Sequence, residues 1–334
     1  MRGFRGILPT AVIALVLAPE AARAQPTDGA KVVELARGLY TITGWADSGN
    51  PVFFVTGDGV VVVDSGESPE HGRAIVAKVR ETTDQPIKYL VLTHYHGDHT
   101  YGVQSFPEDT VVVGSQELAA NILRFNAEEA KGYPSRLAET RKRLDELAQQ
   151  TSPQARAEEQ RLKRRLQSLE GLVDLQIRYP EIAFDSRLEI HLGGRTLEVV
   201  QPGRTHTRCS CIVRIPDLKA VVMGDMLFNH SHPYIDYDAG SDTARWMEFL
   251  RETLTGDLDV VVPGHGPAGG RKDIERQIQY LADLRKEVGD AIRKGMTLEE
   301  AKKAVTMDAY RAYEWPEGLT YGIEAVYREL KPAP

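Results

Sequence analysis

The most informative stretch of this chain is Leu90-Val-Leu-Thr-His94-Tyr-His96-Gly-Asp98-His99-Thr-Tyr-Gly102. Its apolar first half is typical of a buried strand, which we expect over 87–93. Because strand side chains alternate between faces, His94 and His96 can point to one side of the strand end. Together with Asp98 and His99 they offer the nitrogen and oxygen ligands that zinc prefers. The alternative, a polar surface loop, does not explain why an apolar strand ends in three histidines.

The composition is that of an ordinary globular protein. The 334 residues are 42% hydrophobic and 27% charged, with 29 Gly and 18 Pro, which excludes a disordered or collagen-like chain. Lys and Arg number 41 against 48 Asp and Glu, so the net charge is −7. A negative chain does not attract phosphate backbones, so we expect a small-molecule substrate and no nucleic-acid partner; the oligomeric state stays open.

The N-terminal residues predict a cleavable signal peptide over 1–24. Arg2 and Arg5 precede an apolar run, and Ala22-Arg23-Ala24 has the form of a cleavage site. The run is shorter than the roughly 20 residues needed to span a bilayer, although an uncleaved anchor is the alternative. We therefore expect a periplasmic or secreted protein of residues 25–334 that has no membrane association after cleavage.

Cys209 and Cys211 are the two cysteines of the chain. In a strand they lie on one face, roughly 6.5–7 Å apart, which is too far for a comfortable disulfide. We predict two buried thiols. A metal site of the C-x-C kind is the alternative, but it lacks a second thiol pair.

Apolar patterns alternate between strand and helix periods along the chain. The expected strands are 32–43, 52–56, 59–64, 87–93, 110–113, 175–179, 188–192, 196–200, 209–215, 220–223 and 260–262. Helices are expected over 69–84, 243–254 and 271–294, with a capping box at Thr297-Leu-Glu-Glu300 opening another. Residues 115–172 are charged and helical, and they predict an insertion of two or three helices. The pattern indicates one α/β domain with helices flanking sheets.

Five motifs in one order resemble the metallo-β-lactamase fold superfamily over most of residues 30–270. Besides the histidine stretch they are Val61-Val-Val-Asp64-Ser-Gly66, Gly203-Arg-Thr-His206-Thr, Val222-Met-Gly224-Asp225 and Val261-Val-Pro-Gly264-His265-Gly-Pro267. The resemblance implies an αββα sandwich of two mixed β-sheets flanked by helices. The domain would span 25–334, with the helical insertion at 115–172 and C-terminal helices at 270–334.

The resemblance also implies a ligand set for two zinc ions. One ion would take His94, His96 and His206. The other would take Asp98, His99 and His265. Asp225 would bridge the two ions, or alternatively support the ligands from behind, as Asp64 is expected to do. Such ions can share a hydroxide that attacks a carbonyl carbon, with Asp98 as the catalytic residue that orients it.

Within the superfamily, the residues favour a hydrolase of a small ester, lactone, thioester or lactam. His96 stands where the di-iron oxygen reductases have a carboxylate, and Asp225 stands where one β-lactamase subclass has cysteine. Three alternatives remain open: a periplasmic β-lactamase, a mononuclear iron redox enzyme of this fold, and a non-catalytic zinc-binding protein. Export and charge oppose the RNA-processing members.

Four further features of the sequence carry expectations of their own. The insertion at 115–172 is expected to form a wall or lid over the metals. His230-Ser-His232 is expected in a loop that lines the substrate cleft. His191 and His71 are expected to be structural residues.

Overall fold

Two β-sheets stacked face to face form the centre of the molecule. The computed structural model describes residues 29–45, 49–150 and 152–331. The expected signal peptide at 1–24 lies outside the described residues. The first sheet has the strand order β1-β2-β3-β4-β5-β6-β7, and the second has the order β12-β11-β10-β9-β8. These strands are β1 Lys31–Ala36, β2 Leu39–Thr43, β3 Val52–Val55, β4 Val60–Val63, β5 Ile87–Val91, β6 Val111–Ser115, β7 Ile182–Phe184, β8 Arg187–Leu192, β9 Arg195–Val200, β10 Ile212–Ile215, β11 Ala220–Val222 and β12 Val260–Val262.

Both sheets are mixed. Strands β1 to β4 pair antiparallel and β4 to β7 pair parallel, while in the second sheet only the β11–β12 pair is parallel. The inner faces pack together through buried side chains such as Val61, Val91, Val199 and Val222. Near-continuous apolar runs are what strands buried on both faces require.

Helices cover the two outer faces. They are α1 Pro69–Thr82, α2 Gly97–Thr100, α3 Gln116–Asn121, α4 Ala127–Lys131, α5 Tyr133–Leu147, α6 Pro153–Leu172, α7 Thr243–Thr253, α8 Arg271–Arg293, α9 Leu298–Ala304 and α10 Glu317–Leu330. Helix α1 begins as the sequence predicts, with the Ser68 side chain accepting from the His71 amide and Pro69 in the first turn. The capping box at Thr297 is also present. Helices α1 and α3 pack on the first sheet and α7 to α10 on the second, which confirms the αββα sandwich.

Three local expectations need correction. Residues 32–43 form two strands rather than one, because Gly38 adopts a positive φ of 78° and turns the chain between β1 and β2. Residues 175–179 form no strand. Leu175 and Ile177 pack against the insertion instead, and the short strand β7 occupies the position beside β6. The strand expected over 209–215 begins later than predicted, since β10 starts at Ile212.

Cys209 and Cys211 lie buried as free thiols, as the sequence predicts. Within the described residues, every helix is too short or too polar to cross a lipid bilayer.

Candidate metal centre

The seven predicted ligands meet where strands end. His94 and His96 follow β5, and Asp98 and His99 lie in the single turn of α2. His206 is in the loop after β9, Asp225 in the turn after β11, and His265 after β12. The structure brings all seven together, although His94 and His265 lie 171 positions apart along the chain.

The first ligand group is formed by His94, His96, His206 and one oxygen of Asp225. The Nδ1 atom of His96 lies 2.9 Å from Nε2 of His94 and 3.3 Å from Nε2 of His206. Oδ2 of Asp225 lies 3.6 Å from Nε2 of His94 and 3.7 Å from Nε2 of His206. Atoms at these separations can surround one ion.

The second ligand group is formed by Asp98, His99, His265 and the other oxygen of Asp225. Oδ2 of Asp98 lies 3.2 Å from Nε2 of His99 and 3.1 Å from Nε2 of His265. Oδ1 of Asp225 lies 3.1 Å and 3.4 Å from the same two nitrogens. Asp225 therefore presents one carboxylate oxygen to each group, which is the arrangement a bridging ligand requires.

The site's own atoms fit metal ions. Nε2 of His99 and Oδ1 of Asp225 are buried, and neither has a hydrogen-bond partner among the described residues. Each faces the other at close range without hydrogen-bond geometry, as ligand atoms directed at a common point do. Burying such atoms unsatisfied costs about 1–3 kcal/mol each, so a group that coordinates them is favoured. Five imidazoles and two carboxylates form a donor set for zinc or another borderline metal.

Asp64 holds the second group from behind. Its Oδ2 lies 2.7 Å from Nδ1 of His99, while the backbone amide and hydroxyl of Thr93 each donate to the carboxylate at 2.8 Å. Asp64 adopts a positive φ of 64°, a conformation that non-glycine residues rarely occupy. Such strain persists where neighbouring contacts over-determine the backbone, and here it directs the carboxylate at His99.

Asp236 supports His96 in the same way, and the sequence analysis missed it. Its Oδ2 lies 3.0 Å from Nε2 of His96 and also accepts a hydrogen bond from the Tyr95 hydroxyl. Asp236 follows Asp225 in a loop that also contains Asp238, which is exposed and paired with Arg328. The sequence shows two aspartates after Asp225, at positions 236 and 238, and no local pattern distinguishes one from the other.

Electrostatics differ between the two groups. Burial lowers the pKa of His94, and it lowers the pKa of His206 to about 4, so both are neutral and ready to bind. Burial also acts on His265, but the Asp225 and Asp98 carboxylates outweigh it and raise its pKa to about 10. Burial alone would raise the pKa of Asp225, yet the imidazoles of His265 and His99 hold it well below its usual range. Metal binding to the second group therefore releases protons.

Two glycines make room for the Asp225 carboxylate and its turn. A Cβ at Gly264 would lie 2.0 Å from Oδ1 of Asp225. At Gly224, φ is 50° and a Cβ would lie 2.8 Å from the Thr93 side chain. Larger residues at either position would displace the strand ends that carry the ligands.

A cavity of about 1080 Å³ opens over both groups. His96, Asp98, Asp225 and His265 lie on its floor, and its walls include Trp45, Phe228, Ser231, Tyr234, Glu314 and Trp315. Ser231 confirms the expectation that the His230 loop lines the cleft. None of the described residues of 115–172 lines the cavity, so the expected wall or lid from the insertion is wrong; Glu314 and Trp315 of the C-terminal segment form that part of the wall.

The family comparison agrees with this geometry. The model of the metallo-beta-lactamase superfamily matches residues 44–265, which include all seven predicted ligands. The chain belongs to this superfamily. Its membership makes it a hydrolase of the metallo-β-lactamase type, and the expected family is confirmed.

Relatives within the superfamily are distant. The linear primary-alkylsulfatase of Pseudomonas sp. is 22% identical over 301 residues, which are 82% of this chain and 52% of the alkylsulfatase. The chain thus spans about half the length of that relative. Metallo-beta-lactamase type 2 of Bacillus cereus is 22% identical over 235 residues, 70% of this chain and 73% of the lactamase.

Solved structures show the same fold. The sec-alkylsulfatase Pisa1 from Pseudomonas sp. superposes with a TM-score of 0.65 and 17% identity, covering 93% of this chain and 54% of the sulfatase. The metallo-beta-lactamase from Pontibacter korlensis gives a TM-score of 0.56 and 18% identity over 76% of this chain and 99% of the lactamase.

The insertion supports the site from the far side of the histidine stretch. The Phe125 ring stacks on Tyr95 at 4.9 Å. The amide of Asn126 donates to the Tyr95 carbonyl at 2.7 Å and to the Thr100 hydroxyl at 3.0 Å. The insertion thus packs behind the superfamily motif, while the substrate cavity opens elsewhere.

The remaining histidines lie outside the ligand groups. His71 is buried in α1 and stacks on Trp45, and burial lowers its pKa to about 4. His191 is exposed beside Thr196. His232 is buried with its Nδ1 2.8 Å from the Tyr280 hydroxyl, and His230 meets Arg276 at 3.1 Å. None of these four histidines belongs to either ligand group.

Proposed function

We propose that this superfamily member is a dizinc hydrolase that opens a small ester, lactone, thioester or lactam. The observation that carries the proposal is the Asp225 carboxylate, which offers one oxygen to each of two complete ligand groups on the floor of a large cavity. When bound, the zinc ions would supply Lewis acidity that polarises a carbonyl and lowers the pKa of water.

The chain's own residues then have distinct tasks. Asp98 is the ligand we expect to orient the attacking water, because its side chain is 25% exposed on the cavity floor, whereas Asp225 is 3% exposed. Phe228 stacks on His265 at 5.2 Å, holding that imidazole in place and keeping water from one side of it. Asp64 and Asp236 fix His99 and His96 through the nitrogens that face away from the cavity.

The test loads residues 25–334 with zinc and assays a chromogenic cephalosporin, a lactone and a thioester. We expect two zinc ions per chain and turnover of at least one substrate. Asp98→Ala should lower kcat by about 10²–10⁴-fold. The matched control is Asp238→Ala, which changes an exposed aspartate in the loop that follows Asp225. This variant should keep full activity. Zinc-loaded protein that turns over none of the three would contradict the proposal.

A second candidate is hydrolysis of a sulfate ester. The observation that favours it is the extent of the similarity: the alkylsulfatase matches cover 82% of this chain in sequence and 93% in structure, against 70% and 76% for the lactamases. Release of sulfate from decyl sulfate, with no turnover of the carbonyl substrates, would select this candidate. An iron-containing, coloured protein would instead select the redox alternative.

We also propose that the enzyme works outside the cytoplasm, because residues 1–24 have the pattern of a signal peptide. Fractionation of cells that express the full chain should recover it without residues 1–24 in the periplasm or medium. Full-length protein in the cytoplasm would contradict export.

A further inference from the structure

An aromatic cluster lies on the cavity wall contributed by the C-terminal segment. Tyr234 and Trp315 both line the cavity, with ring centroids 6.1 Å apart. Tyr321 of α10 lies behind them, 5.7 Å from the Tyr234 ring and stacked on Trp315 at 5.9 Å. Trp315 is 39% exposed, which is a large apolar surface to leave in water unless something covers it.

The backbone holds this cluster in a defined position. The Glu314 amide donates to the His230 carbonyl at 2.9 Å, and the His232 amide donates to the Glu314 carbonyl at 3.1 Å. Trp315 and His230 both adopt positive φ angles, of 54° and 63°. Residues other than glycine rarely adopt this conformation, so the surrounding contacts must enforce it. The Trp315 ring is therefore positioned by the fold.

Contacts beneath the segment explain what enforces it. The Tyr313 ring stacks on buried Tyr280 at a centroid distance of 5.8 Å and an interplanar angle of 8°. The Tyr280 hydroxyl also bonds to His232, which belongs to the loop that pairs with Glu314. Helix α8 thus holds both hydrogen-bonded segments in place, the one that contains His232 and the one that contains Tyr313 and Glu314.

The charge around the cluster is negative. The cavity lining described here includes no lysine or arginine, and Glu314 is its one carboxylate outside the ligand groups. The neighbouring cations are paired elsewhere: Arg276 with Asp273, and Arg328 with Asp238. An anionic group placed against Trp315 would meet Glu314, and no lysine or arginine of the described cavity lining would offset the repulsion.

We propose that Tyr234 and Trp315, backed by Tyr321, form a substrate subsite for an uncharged alkyl or aryl group, and that Glu314 disfavours anionic groups there. The proposal rests on the dizinc hydrolase function, since the reacting head group would lie at the metals and the apolar substituent against the aromatic wall. It holds for a carbonyl ester and a sulfate ester alike, because only the part of the substrate away from the reacting bond is involved.

The test measures binding of four hydroxamic acids to the zinc-loaded full chain by calorimetry. Acetohydroxamic acid reaches only the metals. Octanohydroxamic acid adds an alkyl tail, benzohydroxamic acid adds a ring, and suberic monohydroxamic acid carries a carboxylate at the end of a similar tail. We expect the octanoyl compound to bind about tenfold more tightly than acetohydroxamic acid, since burying apolar area is favourable. The carboxylated compound should bind about tenfold more weakly than the octanoyl one.

Three variants and one control assign these differences to residues. Trp315→Ala should remove most of the advantage of the octanoyl and benzoyl compounds and leave acetohydroxamic acid unchanged, while Trp315→Phe should restore much of it. Glu314→Gln should reduce the difference in affinity between the compound with the neutral tail and the compound with the carboxylated tail. Tyr179→Ala changes an aromatic residue that is 40% exposed and outside the cavity lining, and it should have no effect. Thermal unfolding of each variant monitors folding.

Each failure has its own meaning. A Trp315→Ala variant that folds and keeps the full tail advantage would overturn the subsite, as would a carboxylated tail that binds as tightly as the neutral one. If none of the four hydroxamic acids binds, both the dizinc function and the subsite would be overturned.

Discussion

The insertion and the C-terminal segment are both helical additions to the two sheets, yet they cover opposite outer faces. Leu118 and Ile122 of the insertion pack on the first sheet, whereas α8 and α10 pack on the second. Among the described residues, the C-terminal segment contributes Glu314 and Trp315 to the cavity lining and the insertion contributes none. Nearness in sequence to the histidine stretch therefore does not indicate which region shapes the substrate site.

The two regions also differ in how they are stabilised. Helices α5 and α6 pack on each other around a small cluster that includes Leu147 and Leu162, and exposed ion pairs such as Arg143–Glu158 connect them. Helix α8 is different, because many of its side chains enter the large core beside the second sheet. We therefore expect the far end of the insertion to tolerate change and the C-terminal helices to be indispensable.

The largest contrast is expected from a matched pair of leucines. Leu284 of α8 is fully buried in the large core, and Leu162 of α6 is 7% exposed in the small cluster. Leu284→Ala should lower the free energy of unfolding by about 3–5 kcal/mol. Leu162→Ala should lower it by about 2 kcal/mol, the low end for a buried leucine, because helices α5 and α6 can relax around the gap. Urea denaturation measures both, and equal losses would contradict the contrast.

Asp236 lies in a loop that has contacts, through neighbouring aromatic residues, with both the insertion and the C-terminal segment. Its donor Tyr95 is stacked by Phe125 of the insertion, while its neighbour Tyr234 contacts Tyr321 of the C-terminal helix. Asp236→Asn should weaken metal binding about 10–100-fold, since His96 loses the carboxylate that orients it. Asp238→Asn is the matched control. Competition with a chromogenic chelator measures the affinity, and unchanged affinity in Asp236→Asn would show that His96 is oriented by other contacts.

Asn126 tests whether the insertion acts on the metal centre and not on substrate. It is 2% exposed, and its amide holds the Tyr95 carbonyl and the Thr100 hydroxyl. Asn126→Ala should lower the free energy of unfolding by about 1–3 kcal/mol and weaken metal binding, with KM unchanged at saturating zinc. Leu123→Ala, at a residue 61% exposed in the same helical stretch, is the control. A raised KM with normal metal binding would show that the insertion affects substrate binding and not the metal centre.

The smallest contrast concerns two glutamates. Glu329 of α10 accepts hydrogen bonds from Arg285 and from the Thr243 hydroxyl and amide, and its side chain is 17% exposed. Glu329→Gln should lower the free energy of unfolding by about 1 kcal/mol. Glu158→Gln removes a pair exposed to water and should produce no resolvable change. If Glu158→Gln lowers the free energy of unfolding more than Glu329→Gln does, the insertion contributes to the cooperative core.

The sequence by itself determined most of the strands, most helix starts and the identity of the superfamily. These depend on local information: apolar periods that separate strands from helices, caps such as Ser68 and Thr297, and ligands placed directly after apolar strands. The strand predicted at 175–179 is wrong because an apolar alternation can equally pack against helices, as Leu175 and Ile177 do.

Tertiary structure decided the rest of the site. Local patterns do not say which face of a sheet an amphipathic helix will cover, since both outer faces are apolar, so the insertion and the C-terminal segment could not be assigned from sequence. Nor could Asp236 be told from Asp238, because their neighbours are alike in sequence and only the fold brings one to His96 and the other to Arg328. The sequence determined the kinds of ligand present, and the packing of distant segments decided which residues orient those ligands and which residues the substrate contacts.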